Sequence, residues 1–121
     1  MSYCEIKFTV SETCNSIEVI LANDAKTFQS SREGNYVEHT IVNGKKSWKS
    51  MNNAIWYVPK HNRWALGSFD NIGKEASGIL TSDGFGDYNP INVPWWWYAK
   101  NDEWKPAIAD DIIFQCVESN Y

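Results

Sequence analysis

Aromatic side chains are the residues of this sequence best suited to bind a ligand. The chain of 121 residues contains seven Trp, six Tyr and five Phe, and three of the tryptophans are consecutive, at Trp95, Trp96 and Trp97. Successive side chains of a β-strand point to opposite faces, so we expect Trp96 to point away from its neighbours, toward solvent. An exposed indole can stack on a sugar ring or a proline-rich peptide. The predicted ligand-binding residues are Trp96, Trp97, Tyr98 and Trp104, with Asn101 and Asp102 as hydrogen-bonding neighbours.

Burial in the core is the alternative for these tryptophans. The three consecutive indoles could instead pack under an N-terminal strand or a loop. Trp56 and Trp64 are expected to lie in adjacent strands across a short turn. Cross-strand aromatic pairs stabilise hairpins by about 0.2–1 kcal/mol, so we interpret these two as core or hairpin-packing residues.

The polar residues do not indicate catalysis or metal binding. The close carboxylate pairs, such as Asp102-Glu103, lack any sign of the burial that raises the pKa of a glycosidase acid. The segment from Asp83 to Asp87 offers two carboxylates, whereas calcium requires about six to eight oxygen ligands. The chain also lacks the Cys-x-x-Cys spacing of structural zinc sites. We therefore expect no enzymatic activity, no cofactor and no metal site.

Charge and hydropathy exclude further classes of function. A net charge of −4 and a pI near 5.1 argue against a protein that neutralises nucleic-acid phosphates. The longest candidate for a membrane-spanning segment, residues 17–22, is the length of a strand rather than of a membrane-spanning helix. The N-terminal residues lack the basic segment and long apolar run of a signal peptide, and the localisation stays open.

Alternation of apolar and polar residues is the dominant pattern, and it is typical of β-strands. It is clear at residues 3–10 and 17–21, and turn dipeptides follow at 23–24, 43–44, 52–53 and 101–102. Asn43-Gly44 is the strongest hairpin signal, because both central residues of a type I′ turn need positive φ. The polar residues 25–33 could form a loop or one short helical turn. We predict one all-β antiparallel domain over residues 1–121, barrel- or sandwich-like, with about seven to nine short strands and at most one short helix.

The order of the short motifs resembles a known kind of β-module. Gly34-Asn-Tyr36 is followed by Asn43-Gly-Lys45, by Trp64-Ala-Leu-Gly67 and by a C-terminal strand that ends at Cys116. This Gly-x-Tyr, Asn-Gly-Lys, Trp-x-x-Gly order resembles a small module that is repeated in, or appended to, adhesive, extracellular and phage-structural multidomain proteins. The resemblance covers residues 14–117 and implies no catalytic residue. It does not account for the strand at 3–10 or for the consecutive tryptophans.

A disulfide is expected at the ends of that segment. Cys14 opens it and Cys116 closes it, and the ends of a compact domain often lie close together. We expect their Cα atoms to lie within disulfide reach, about 4.4–6.8 Å. Cys4 is the alternative partner for Cys116.

Two functions follow from these observations. The first is a non-catalytic binding module that uses exposed aromatic side chains, with carbohydrate as the first candidate ligand and protein or peptide as the second. The alternative is a structural or protein-interaction domain in which all the tryptophans lie in the core. The solvent exposure of each tryptophan distinguishes the two.

Overall fold

Nine strands form one antiparallel sheet in the computed structural model, which describes residues 14–75, 77–108 and 110–117. The strands are β1 (Ser16–Leu21), β2 (Gly34–Val42), β3 (Lys45–Lys49), β4 (Asn53–Val58), β5 (Arg63–Ser68), β6 (Ile79–Thr81), β7 (Trp96–Lys100), β8 (Glu103–Pro106) and β9 (Ile112–Cys116). The helical segments are α1 (Asn23–Gln29) and four 3-10 turns, Ser30–Arg32, Pro59–His61, Phe69–Asn71 and Pro90–Asn92. The strand expected at 3–10 lies outside the described residues.

The sheet follows the chain as a meander. Its order is β8-β7-β6-β5-β4-β3-β2-β1-β9, so only β9 leaves the sequential order to pair with β1. The sheet curls into a half-barrel around the larger of two hydrophobic cores. The all-β antiparallel prediction is confirmed, and within the described residues no helix is long and apolar enough to span a membrane.

Two hairpin turns carry the backbone geometry that the sequence predicted. Asn43 and Gly44 join β2 to β3 with φ of 55° and 88°, the two positive values that a type I′ turn requires. Asn101 and Asp102 join β7 to β8 with φ of 51° and 65°. The dipeptide at 23–24 differs, because it begins α1 instead of turning directly into a strand.

The inner face of the half-barrel holds the main core. Alternate residues of the strands point inward, as in β1, where Ile17, Val19 and Leu21 are buried. Trp48 and Trp64 pack together in this core with 5.9 Å between their ring centroids. The aromatic side chains therefore fill much of the space that the curled sheet encloses.

A second, smaller core lies on the outer face of β4 and β5. Trp56 is fully buried there, and its indole N–H donates to the carbonyl of Lys74 at 2.8 Å. The register pairs Tyr57 with Trp64 and Trp56 with Ala65. Because paired residues share a face, Trp56 and Trp64 lie on opposite faces, so both are core residues but do not form a cross-strand pair.

A disulfide joins Cys14 to Cys116, with 5.7 Å between the Cα atoms. The predicted separation is confirmed, whereas the alternative partner Cys4 lies outside the described residues. Cys116 pairs with Ile17 in the β1–β9 ladder, so the bridge connects the last described strand to the residues that precede β1.

Candidate functional site

The consecutive tryptophans point to both faces of the sheet, but Trp96 points inward and not toward solvent as expected. Trp96 is 4% exposed and stacks on Phe114 in the inner core, with 3.9 Å between the ring centroids. The expectation that Trp96 faces solvent is therefore wrong. Trp97 points outward and is half-buried, and Trp95, just before β7, is 62% exposed.

Tyr98 is also an inner residue rather than a ligand-facing one. It is buried, and its hydroxyl donates to Asp24 Oδ2 at 2.6 Å. This hydrogen bond, followed by burial, raises the pKa of Tyr98 to about 12, because ionisation would place two negative charges together. The Tyr98 hydrogen bond and a second one from Lys100 hold the pKa of Asp24 below its usual value. The three residues attach α1 to β7.

Asn101 and Asp102 form the exposed β7–β8 turn. Their short polar side chains tolerate the left-handed conformation that the turn imposes. Neither residue lines the cleft described next, so the structure gives them a role in the hairpin and does not bring them to a binding site.

An open cleft of about 300 Å³ lies on the outer face of β5 to β8. Trp97 is paired with Leu80 on β6, and Trp104 is paired with Ala99 on β7. Because Trp97 and Ala99 are two positions apart in β7, they share a face, so both indoles lie on the outer face. Of the six predicted binding residues, Trp97 and Trp104 meet here. The lining residues are Arg63, Leu80, Thr81, Ser82, Asp83, Trp97 and Trp104.

The two indoles of the cleft are held differently. The N–H of Trp97 donates to Ser82 Oγ at 2.7 Å, which fixes its ring against the sheet. Trp104 lies on the edge strand β8 and is 43% exposed. Since Trp104 and Trp95 are both exposed, the expectation that all tryptophans lie in the core is also wrong.

An ion pair forms the polar side of the cleft. Arg63 Nη1 lies 3.1 Å from Asp83 Oδ1, and His61 Nδ1 lies 3.5 Å from Asp83 Oδ2. On the sequence, Asp83 was considered as one of the close carboxylate pair Asp83/Asp87 and as a calcium ligand, and Arg63 was not predicted at all. Only the alternation in β5, which puts Arg63 on the same face as Ala65, could have indicated its position.

A tight loop positions Asp83. The amides of Gly84 and Gly86 both donate to the carbonyl of Asn62, at 3.0 and 2.8 Å. Gly84 has a φ of 91°, and a Cβ at Gly86 would collide with Asn62 Oδ1 and the Tyr57 ring. The two glycines therefore let this loop press against the β4–β5 hairpin, beside Arg63.

Neither metal ligation nor a known relative identifies the site. Across residues 14–75, 77–108 and 110–117, no group of three or more His, Cys, Asp or Glu side chains could hold a metal ion. No family model matches the chain, and no curated protein or solved structure matches it. The resemblance to the small β-module stays a prediction.

Proposed function

We propose that the protein is a non-catalytic carbohydrate-binding module whose site is the cleft between Trp97 and Trp104. The observation that carries the proposal is the placement of two outward-facing indoles beside a charged pair in one cleft. A sugar ring presents an apolar C–H face and a rim of hydroxyl groups, so it needs an aromatic surface and polar partners together. The cleft offers both.

The geometry of the indoles supports this ligand class. Trp97 is held by its hydrogen bond to Ser82, so it offers a ring whose ordering costs little entropy on binding. Trp104, exposed on the edge strand, offers a second ring that a ligand could reach from solvent. A volume of about 300 Å³ suits a small ligand, since such sites measure about 300–1,000 Å³.

A panel of neutral and acidic oligosaccharides tests the proposal. We expect at least one sugar to bind, and Trp104→Ala to weaken its binding about tenfold or more, a loss of about 1.4 kcal/mol. Trp95→Ala is the matched control, because it removes an exposed indole that does not line the cleft. Absence of binding to every sugar, or equal losses in the two variants, would contradict the proposal.

A protein-interaction domain is the second candidate. Phe85 contacts both Tyr88 and Trp95, with ring centroids 5.1 and 5.9 Å apart, and Tyr88 and Trp95 are exposed. Exposed aromatic residues of this kind are enriched at protein interfaces. Loss of partner binding in Trp95→Ala, with Trp104→Ala unaffected, would favour this candidate.

A further inference from the structure

The charges of the cleft cancel each other. Arg63 is its only cation and Asp83 its only anion among the lining residues, and the two are paired at 3.1 Å. An acidic sugar would have to compete with Asp83 for the guanidinium and would lie beside a like charge. The net charge of −4 adds a weak long-range repulsion.

The Asp83 carboxylate has capacity for further hydrogen bonds. An ionised carboxylate accepts at about four lone-pair positions, and only Arg63 and His61 lie against its oxygens among the described ion pairs. Its side chain is 64% exposed, so hydroxyl groups of a ligand can reach it. Ser82 Oγ accepts from Trp97, and within the described part of the chain its own hydroxyl hydrogen has no recorded acceptor, so it can donate to a ligand.

The position of Asp83 is set before a ligand binds. The loop that follows it is hydrogen-bonded to the carbonyl of Asn62 through Gly84 and Gly86. Arg63, on β5, donates to the carboxylate as well, with 3.1 Å between its Nη1 and Asp83 Oδ1. Acceptors held in place in this way gain affinity, because less entropy is lost when the ligand binds.

We infer that the cleft selects uncharged sugars with adjacent free hydroxyl groups, and that Asp83 is its specificity-determining residue. Asp83 accepts hydrogen bonds from the hydroxyl groups while the sugar ring lies against Trp104, and Arg63 acts as a positioning residue for the carboxylate. This inference rests on the proposed function and names the ligand class of the same cleft.

The test uses glucose, galactose and mannose oligosaccharides, each paired with its uronic-acid counterpart. Binding is measured by calorimetry for the unmodified protein and for Asp83→Asn, which keeps the size of the side chain and removes its charge. For each neutral sugar that binds, we expect an affinity at least tenfold higher than that of its acidic counterpart. Asp83→Asn should weaken neutral binding at least tenfold and reduce the discrimination.

Asp87→Asn is the matched control. It removes the same charge from the same loop, and its side chain is 85% exposed and does not line the cleft. We expect it to bind sugars like the unmodified protein. Acidic sugars that bind as well as neutral ones, with Trp104→Ala still weakening both, would overturn this inference and leave the proposed function standing. Absence of binding to every sugar would overturn both.

Discussion

The indole of Trp96 stacks on the phenyl ring of Phe114 with 3.9 Å between the centroids and 14° between the planes. The two rings belong to β7 and β9, which are not neighbours in the sheet, since six strands separate them in its order. The contact exists because the sheet curls and brings its two ends together over the inner core. Trp96 therefore closes the core instead of facing a ligand.

Trp96→Ala should destabilise the protein strongly. Truncating a buried large aromatic residue costs about 3–5 kcal/mol, because contacts are lost and a cavity remains. Trp95→Ala, at a position that is 62% exposed and contacts only the edge of the Phe85 ring among the described aromatic pairs, should cost about 1.5 kcal/mol or less. Urea unfolding followed by circular dichroism measures both free energies. Similar values for the two variants would contradict the inward orientation of Trp96.

The fold was predictable because its signals are local. Alternation identifies strands one by one, and the positive φ of Asn43 and Gly44 follows from the residue types themselves. Sequential strands commonly lie side by side, so short turns lead directly to a meander. The expected proximity of Cys14 and Cys116, which the disulfide confirms, was the one indication from the sequence that the two ends of the segment meet, as β1 and β9 do.

The candidate site was only half predictable. Alternation requires Trp96 and Trp97 to face opposite ways, but it does not say which one is inside. That choice depends on the β6–β7 register, which pairs Leu80 with Trp97, and a shift of one residue would exchange the faces. Arg63 and Asp83 are separated by 20 positions, and no local pattern indicates that they meet.

Loss of the disulfide should destabilise the protein by about 2–5 kcal/mol. The bridge joins residues 102 positions apart, so breaking it gives the unfolded chain a large gain in conformational entropy. The comparison is between Cys4→Ser and the triple variant with Cys14→Ser and Cys116→Ser added, so that no free thiol is present. The bridge would be contradicted if the two proteins had the same urea midpoint and if reductant did not change the midpoint of the Cys4→Ser protein.

Asp24→Asn should lower stability in a pH-dependent way. Hydrogen bonds from Tyr98 and Lys100 hold the pKa of Asp24 in the folded protein below its ordinary value of 3.8. A depressed folded-state pKa stabilises the protein above the unfolded pKa, and this stabilisation is lost as the pH falls through the folded-state pKa. The difference in unfolding free energy between the two proteins should therefore be constant from about pH 5 to 7 and decrease below about pH 4.

Tyr98→Phe is the control for that experiment. It removes the hydrogen bond that contributes most to the shift of Asp24 and leaves the contact of Asp24 with Lys100. In the Tyr98→Phe protein, the change in unfolding free energy that Asp24→Asn causes should depend less on pH. A difference that stays constant down to pH values well below 3.8 in the unmodified protein would show that the Asp24 pKa is not lowered.

Gly86→Ala should disturb the cleft through the loop that carries Asp83. A Cβ at this position collides with Asn62 Oδ1 and the Tyr57 ring, so the loop must move away from the β4–β5 hairpin and carry Asp83 away from Arg63. Overpacking of this kind costs about 1–3 kcal/mol, and we expect sugar binding to weaken by more than tenfold. Urea unfolding and calorimetry with the best-bound neutral oligosaccharide measure the two effects.

Gly44→Ala separates the collision from a general effect of replacing glycine. Gly44 has a φ of 88° in the β2–β3 turn, but a Cβ there would meet no atom within 4 Å. Its replacement should therefore cost only the backbone strain of a positive φ, about 1–3 kcal/mol, and leave sugar binding unchanged. Both variants should lose stability, but only Gly86→Ala should lose affinity for the sugar. If Gly86→Ala binds the sugar as tightly as the unmodified protein, the position of Asp83 does not depend on this loop.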